Sequence, residues 1–183
     1  DGSSWIPRNF DHQSHGKVPL YQALARSYNQ STAQLGMDIG LPAVADMLER
    51  LGLEKQVKLY PSLLLGAESM SPFEVAGIYQ TIAANGFRTP MRAIRLVTDA
   101  EGNELSRYPF AVKQVVSAEN VHLIQYAMQA VAREGTARSI YQRLPSSINA
   151  AGKTGTSNDQ RDSWFAGFTG DRLSVVWLGL DNN

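Results

Sequence analysis

The chain has 183 residues, 43% of them hydrophobic and 19% charged, which is ordinary globular composition and enough for the core of one domain. Seventeen basic residues balance seventeen acidic ones, so no long-range field recommends nucleic acid or an anionic membrane surface as a partner. Cysteine is absent, which excludes disulfides and thiolate chemistry, and no apolar run approaches the roughly 18 residues that a membrane span requires.

In chain order, the opening DGSSWIPRNFD carries neither an initiator Met nor a charged-then-apolar signal pattern. Leu20 to Arg26 reads as a short apolar helix, and a further segment restarts near Ser31 or Thr32. Ser27-Tyr28-Asn29 then lies on the loop between them. Pro42 to Leu51 is a helix with Val44, Met47, Leu48 and Leu51 on one stripe and Gly52 as its stop. Ser71-Pro72-Phe73-Glu74 is a capping box with Pro at the first helical position, followed by Val75, Ile78, Tyr79 and Ile82 at helical spacing and by Gly86. RAIRLVTDAEGNELSRY reads as an accessory hairpin around Gly102-Asn103. Ser117 to Glu134 gives a third long helix, with Val121, Ile124, Met128 and Val131 facing the core and Gly135 ending it.

From Asn149 onward three strands are expected: Ala150 to Ser157, Ser163 to Thr169 and Leu173 to Leu180, the last two joined at Gly170-Asp171. Such short connections make neighbouring strands antiparallel. SWFAGF and LSVVWLGL are apolar on both alternations, as strands covered on both faces are. The fold class is therefore α/β of the α+β type, an antiparallel sheet with helices on both faces. The end, SVVWLGLDNN, stops just after an apolar run, so both ends read as cuts through a larger protein.

The first of these strands contains AAGKTGTSN, whose Gly152-Lys153-Thr154 matches the end of a phosphate-binding loop. That loop needs a Gly five positions before its Gly-Lys pair, where this chain has Ser147, and it must open a helix, which Gly155-Thr156-Ser157-Asn158-Asp159 does not. On a strand, Thr154 and Thr156 point to one face and Lys153 and Gly155 to the other. If its edge borders a cleft, free N–H groups and two hydroxyls make a docking rim for a peptide-like ligand with a carboxylate. Lys153 adds positive charge on a flexible stem, and Gly155 keeps the strand open to close approach. An ordinary strand with a solvated lysine would carry the same letters. Ser27-Tyr28-Asn29, alone, is equally compatible with a local cap or turn.

Ser27-Tyr28-Asn29 and Lys153-Thr154-Gly155-Thr156 together resemble two of the three active-site motifs of the penicillin-recognising serine enzymes. ALARSYNQSTAQLG, SPFEVAGIYQTIAANG, AREGTAR, AGKTGTSNDQRDSWFAGF and the closing WLGLDNN, in that order, are similar to the transpeptidase domain of bifunctional class A penicillin-binding proteins across nearly the whole chain. The third motif, Ser-x-x-Lys, belongs several dozen residues before Ser27 at the start of a long helix. Ser14-His15-Gly16-Lys17 fits its letters, but Gly16 and Val18-Pro19 oppose the helical turn that would stack lysine beside serine. The nucleophilic serine and base lysine are expected outside this chain. Residues 1–183 would then be the C-terminal part of a single transpeptidase domain, with a final helix beyond Asn183.

The resemblance implies a D,D-transpeptidase that cross-links peptidoglycan stem peptides ending in D-Ala-D-Ala through an acyl-serine and is inhibited covalently by β-lactams. It implies that Ser27 relays a proton to the leaving amine, Asn29 holds the substrate amide and Lys153 supplies positive potential. It gives Thr154 and Thr156 the terminal carboxylate beside Gly155, and gives the Thr156 N–H a place in the oxyanion hole. It implies no cofactor and no metal. The partners implied are the rest of the domain, a glycosyltransferase domain upstream and an outer-membrane lipoprotein activator. The place implied is the periplasmic face of the bacterial inner membrane, with the anchor outside this chain. A serine β-lactamase, a non-catalytic penicillin sensor and a pure binding fragment stay open as alternatives. Glu68, 39 residues after Asn29, is in the region where class A β-lactamases carry their hydrolytic base, although its setting LLLGAESMSPFE resembles the penicillin-binding proteins. His12, His15 and His122 lack metal-ligand spacing and are expected to be structural or solvated. Trp164 is expected in the core.

Overall fold

A computed structural model describes residues 5–157 and 161–180. The Asn158-Asp159-Gln160 stretch that follows the lysine strand and Asp181 to Asn183, the end of WLGLDNN, lie outside the described residues. Five helices come first or flank the sheet: α1 (Leu20–Arg26), α2 (Asn29–Ile39), α3 (Leu41–Leu51), α4 (Pro72–Ala83) and α5 (Ala118–Arg133). The strands are β1 (Phe87–Arg88), β2 (Leu96–Thr98), β3 (Glu104–Arg107), β4 (Lys113–Gln114), β5 (Ala151–Thr156), β6 (Ser163–Phe168) and β7 (Leu173–Leu178). Strands β5, β6 and β7 form an antiparallel sheet in that order, with Lys153 opposite Ala166 and Trp164 opposite Trp177.

Local chemistry sets most boundaries. The Ser71 N–H donates to the Glu74 carboxylate at 2.7 Å while the Glu74 N–H donates to Ser71 Oγ at 3.2 Å, closing the capping box that starts α4. Asn85 and Gly86 leave α4 at positive φ, and a Cβ on Gly86 would collide with the Val116 carbonyl, so only glycine fits that crossing. The β2–β3 ribbon forms as expected, and its turn is built on Asp99, whose carboxylate accepts from the Asn103 N–H at 2.7 Å. The β1–β4 pair, two residues a side, was not foreseen.

Helix α5 lies along β5 and against α1, and α4 lies against β6 and β7. Val121, Met128 and Val131 of α5 are buried as the helical stripe requires, but Ile124 is not. Its place in the contact is taken by Ala127, Ala130 and Ala132, whose small side chains let the helix approach closely. Ala25 of α1, Ala130, Val131 and Ala137 form a small core that Phe165 of β6 completes. On β7 the alternation is plain: Leu173, Val175 and Trp177 are half-buried, whereas Ser174, Val176 and Leu178 are exposed. Among the described residues one side of β7 is thus left without a covering helix.

Candidate active site

The site forms where the end of α1 meets β5. Helix α1 stops because Ser27 turns left-handed, at φ 58° and ψ 47°, and its N–H folds back onto the Leu24 carbonyl at 3.2 Å. A non-glycine residue held at positive φ is uncommon and costs local strain. The turn projects the Ser27 hydroxyl toward β5. Asn29 is not on a loop, as its sequence setting implied, but is the first residue of α2. The N-cap residue Tyr28 has no capping bond of its own, and the first turn is capped from a distance instead, the Gln30 N–H donating to Asn9 Oδ1 at 3.1 Å, which is why the start was misplaced by two or three residues. The Asn29 amide nitrogen donates to the Arg8 carbonyl at 2.8 Å. That commitment leaves its Oδ1 to accept from another group.

Lys153 crosses from the strand to the turn. Its Nζ donates to Ser27 Oγ at 2.9 Å and to the Thr154 carbonyl at 2.8 Å, joining residues 126 apart in sequence. Burial among these elements disfavours the ammonium and lowers its pKa from 10.5 to about 8. The directions of the strand's backbone groups follow from one bond. The Ser157 N–H reaches the Asp162 carbonyl at 3.1 Å, toward β6. By alternation, the N–H and C=O of Gly155 and Lys153 also face β6, and those of Thr154 and Thr156 face the outer edge, which has no strand partner among the described residues. The carbonyl that Lys153 holds is one of these edge groups.

Thr154 Oγ1 lies 2.6 Å from Thr136 Oγ1 on the turn after α5, a contact that sequence reading missed. The signal available was AREGTAR, a matching segment in which Thr136 had no assigned role. Thr156 is exposed at the end of β5. Gly155 shares the face of Lys153, where a Cβ would meet Trp164 Cβ at 3.2 Å, so cross-strand packing is a second reason for glycine there. Trp164 packs on Trp177 with ring centroids 6.2 Å apart, and the Trp177 indole N–H donates to Asp162 at 2.9 Å.

Other candidates go elsewhere. Ser14 to Lys17 is not helical, and Gly16 has φ 61°, so Ser14 and Lys17 are not stacked on one helical turn. Glu68 pairs with Lys55 at 3.4 Å beside Glu74, and lines a cavity with Gln56, Lys58 and Tyr60 that includes neither Ser27 nor Lys153. This placement removes the ground for reading Glu68 as a hydrolytic base. His15 pairs with Asp11 at 2.7 Å and stacks on Tyr28 at 4.0 Å, a structural contact beside the site. Among the described residues no three His, Cys, Asp or Glu side chains cluster as metal ligands.

The family model for the penicillin-binding protein transpeptidase domain matches residues 2–179. The chain belongs to that family. Penicillin-binding protein 1B of Vibrio cholerae serotype O1 is 45% identical over 184 residues, which is 100% of this chain and 24% of that protein. The crystal structure of penicillin-binding protein 1A from Haemophilus influenzae superposes with a TM-score of 0.90 at 24% identity, over 99% of this chain and 33% of the other. Penicillin-binding protein A from M. tuberculosis, solved as an imipenem acyl-enzyme complex, gives a TM-score of 0.82 at 21% identity, over 97% and 46%. This transpeptidase-family chain therefore spans about a quarter of the length of the curated relative. None of its described helices is long and apolar enough to cross a membrane.

Proposed function

We propose that the complete protein is a serine D,D-transpeptidase that cross-links peptidoglycan stem peptides and is acylated by β-lactams. The observation that carries this reading is the 2.9 Å contact from Lys153 Nζ to Ser27 Oγ, which assembles two distant motifs into one charged, half-buried site. An attacking serine and its lysine base come from polypeptide outside this chain. The serine adds to the carbonyl of the penultimate D-alanine, and its proton passes to the base. Ser27 then relays a proton to the departing D-alanine amine, with its hydroxyl oriented by Lys153. A second stem peptide's amine attacks the acyl-serine, forms the cross-link and frees the serine.

The remaining groups bind and orient. Asn29 Oδ1, left free by the bond to Arg8, accepts from the substrate's backbone amide. Thr154 and Thr156 take the terminal carboxylate, close to the Lys153 charge, and Gly155 lets the substrate backbone lie against the strand edge. The outward Thr156 N–H forms the oxyanion hole with the N–H of the attacking serine, a contribution whose loss typically costs about 10²–10³ in rate. Turnover of penicillin by hydrolysis is disfavoured because Glu68 lines a separate cavity that includes neither Ser27 nor Lys153. The relatives' greater length leaves room for a further domain, read here as a glycosyltransferase domain; the family resemblance adds an anchor at the periplasmic face of the inner membrane, outside this chain, and a lipoprotein activator.

The test is covalent labelling by a fluorescent penicillin in the complete protein. Lys153→Ala abolishes labelling, and Ser14→Ala leaves it unchanged. Labelling of Lys153→Ala at the wild-type rate would overturn the site, and loss of the adduct in Ser14→Ala would return the nucleophile to this chain.

A further inference from the structure

The turn that follows α5 touches both halves of the site. The Gly135 N–H returns to the Ala130 carbonyl at 3.0 Å, and the Ala137 N–H to that of Val131 at 3.1 Å, which fixes the turn on the helix end. Between them the Thr136 N–H donates at 3.1 Å to the carbonyl of Ala25, two residues before Ser27. The approach is so close that a Cβ on Gly135 would collide with that same carbonyl. The Thr136 side chain, meanwhile, reaches β5 and places its hydroxyl 2.6 Å from that of Thr154. One residue thus joins the element carrying Ser27 to the strand carrying Lys153, through its backbone on one side and its hydroxyl on the other.

We propose that Thr136 is a positioning residue that aims the Thr154 hydroxyl proton at the carboxylate of the ligand. The inference rests on the reading of Thr154 as a carboxylate-binding residue. Two hydroxyls in contact share one hydrogen bond and keep one proton for a third group. When Thr154 donates to Thr136, its proton is unavailable to the ligand. When Thr136 donates to Thr154, the Thr154 proton points outward, and its oxygen, polarised by the incoming bond, is a stronger donor. A carboxylate only accepts, so it selects the second arrangement. A neutral ester in the same place is a weaker acceptor and gains less from the selection. Thr136 therefore contributes to preference for a free C-terminal carboxylate over a neutral end, without touching the ligand itself.

The experiment compares acylation of the complete protein by a penicillin and by its methyl ester, as the ratio of their second-order rate constants. In Thr136→Val the ratio of acid to ester falls by about 5–20-fold, the scale of one charge-assisted hydrogen bond weakened at its donor. Thr136→Ser keeps the wild-type ratio. Thr136→Ala leaves the backbone bond to Ala25 available, and it loses the preference like Thr136→Val, which provides a second route if valine prevents folding. A variant that slows acid and ester equally would show a structural role only and would overturn the inference, as would an unchanged ratio. A wild-type protein with no preference for the acid would instead overturn the reading of Thr154 on which this rests.

Discussion

At the scale of single residues, the proposed role of Lys153 requires charge where burial disfavours charge. Its surroundings lower its pKa from 10.5 to about 8. The sign of the effect follows directly: a depressed pKa means that the proton is lost earlier on raising the pH, so the ammonium predominates below about 8 and the neutral amine above it. In the proposed mechanism the ammonium orients the Ser27 hydroxyl and draws in the anionic ligand. The rate of penicillin labelling should therefore hold near pH 7 and fall through a single-proton limb centred near pH 8. Lys153→Arg, whose guanidinium stays protonated across this range, should remove that limb even if its absolute rate is lower. Stopped-flow or gel-based labelling from pH 6 to about 10 gives the profile. A wild-type rate that is flat or rising to the top of that range would mean that the neutral amine is the working form.

At the scale of elements, two turns built from small residues do different work, and substitution separates them. Ser71 caps α4 through the reciprocal pair with Glu74, on an exposed helix start. Ser71→Ala should cost about 0.5–2 kcal/mol of stability with labelling unchanged below the melting transition. Gly135 instead holds the turn against Ala25, and Gly135→Ala forces a Cβ into that carbonyl. It should cost about 1–3 kcal/mol and also slow labelling at temperatures where the protein remains folded, because Ala25 leads directly to Ser27. Thermal melts paired with labelling rates check both, and equal labelling in the two variants would disconnect the turn from the site. The capping box, the β2–β3 hairpin and the three sheet strands were legible in sequence because each is fixed by neighbours a few residues away, whereas the part that Asp99 plays in the hairpin turn was not read. The start of α2 was not, since Tyr28 offers no capping oxygen and Ser27 gives no local sign of its left-handed backbone. The buried alanine face of α5 was hidden behind the larger Ile124, and Thr136 was silent because its contact with Thr154 is made only once helix and strand have packed. The Ser27–Lys153 pairing emerged from the two motifs taken together, whereas neither motif alone distinguished a site from a turn and a strand.

At the scale of the whole molecule, the sheet ends on a face that is exposed among the described residues. Ser174, Val176 and Leu178 share the side of β7 that alternates away from Trp177, and Val176 and Leu178 retain 48% and 68% of their surface. The same side of the sheet carries Thr154 on β5 and Phe165 on β6, and only near β5 does the α1–α5 core reach it, through Phe165. In the proposed complete domain, the segment bearing the attacking serine and the helix after residue 183 supply the missing cover. Burying such a face contributes about 25 cal/mol per Å² of apolar surface, against a net stability of only about 5–15 kcal/mol for a domain. Leaving it open removes a term that a small protein cannot readily replace. Residues 1–183 produced alone should therefore be molten or aggregated, with a broad thermal transition, dye binding typical of exposed apolar surface and no covalent penicillin adduct. Co-expression with the rest of the domain should restore a cooperative transition and labelling, and mass spectrometry of the two polypeptides should find the penicilloyl group on the other piece. A monomeric, cooperatively folded 1–183 would refute the dependence on outside cover, and an adduct on a serine of 1–183 would refute the supply of the nucleophile from elsewhere.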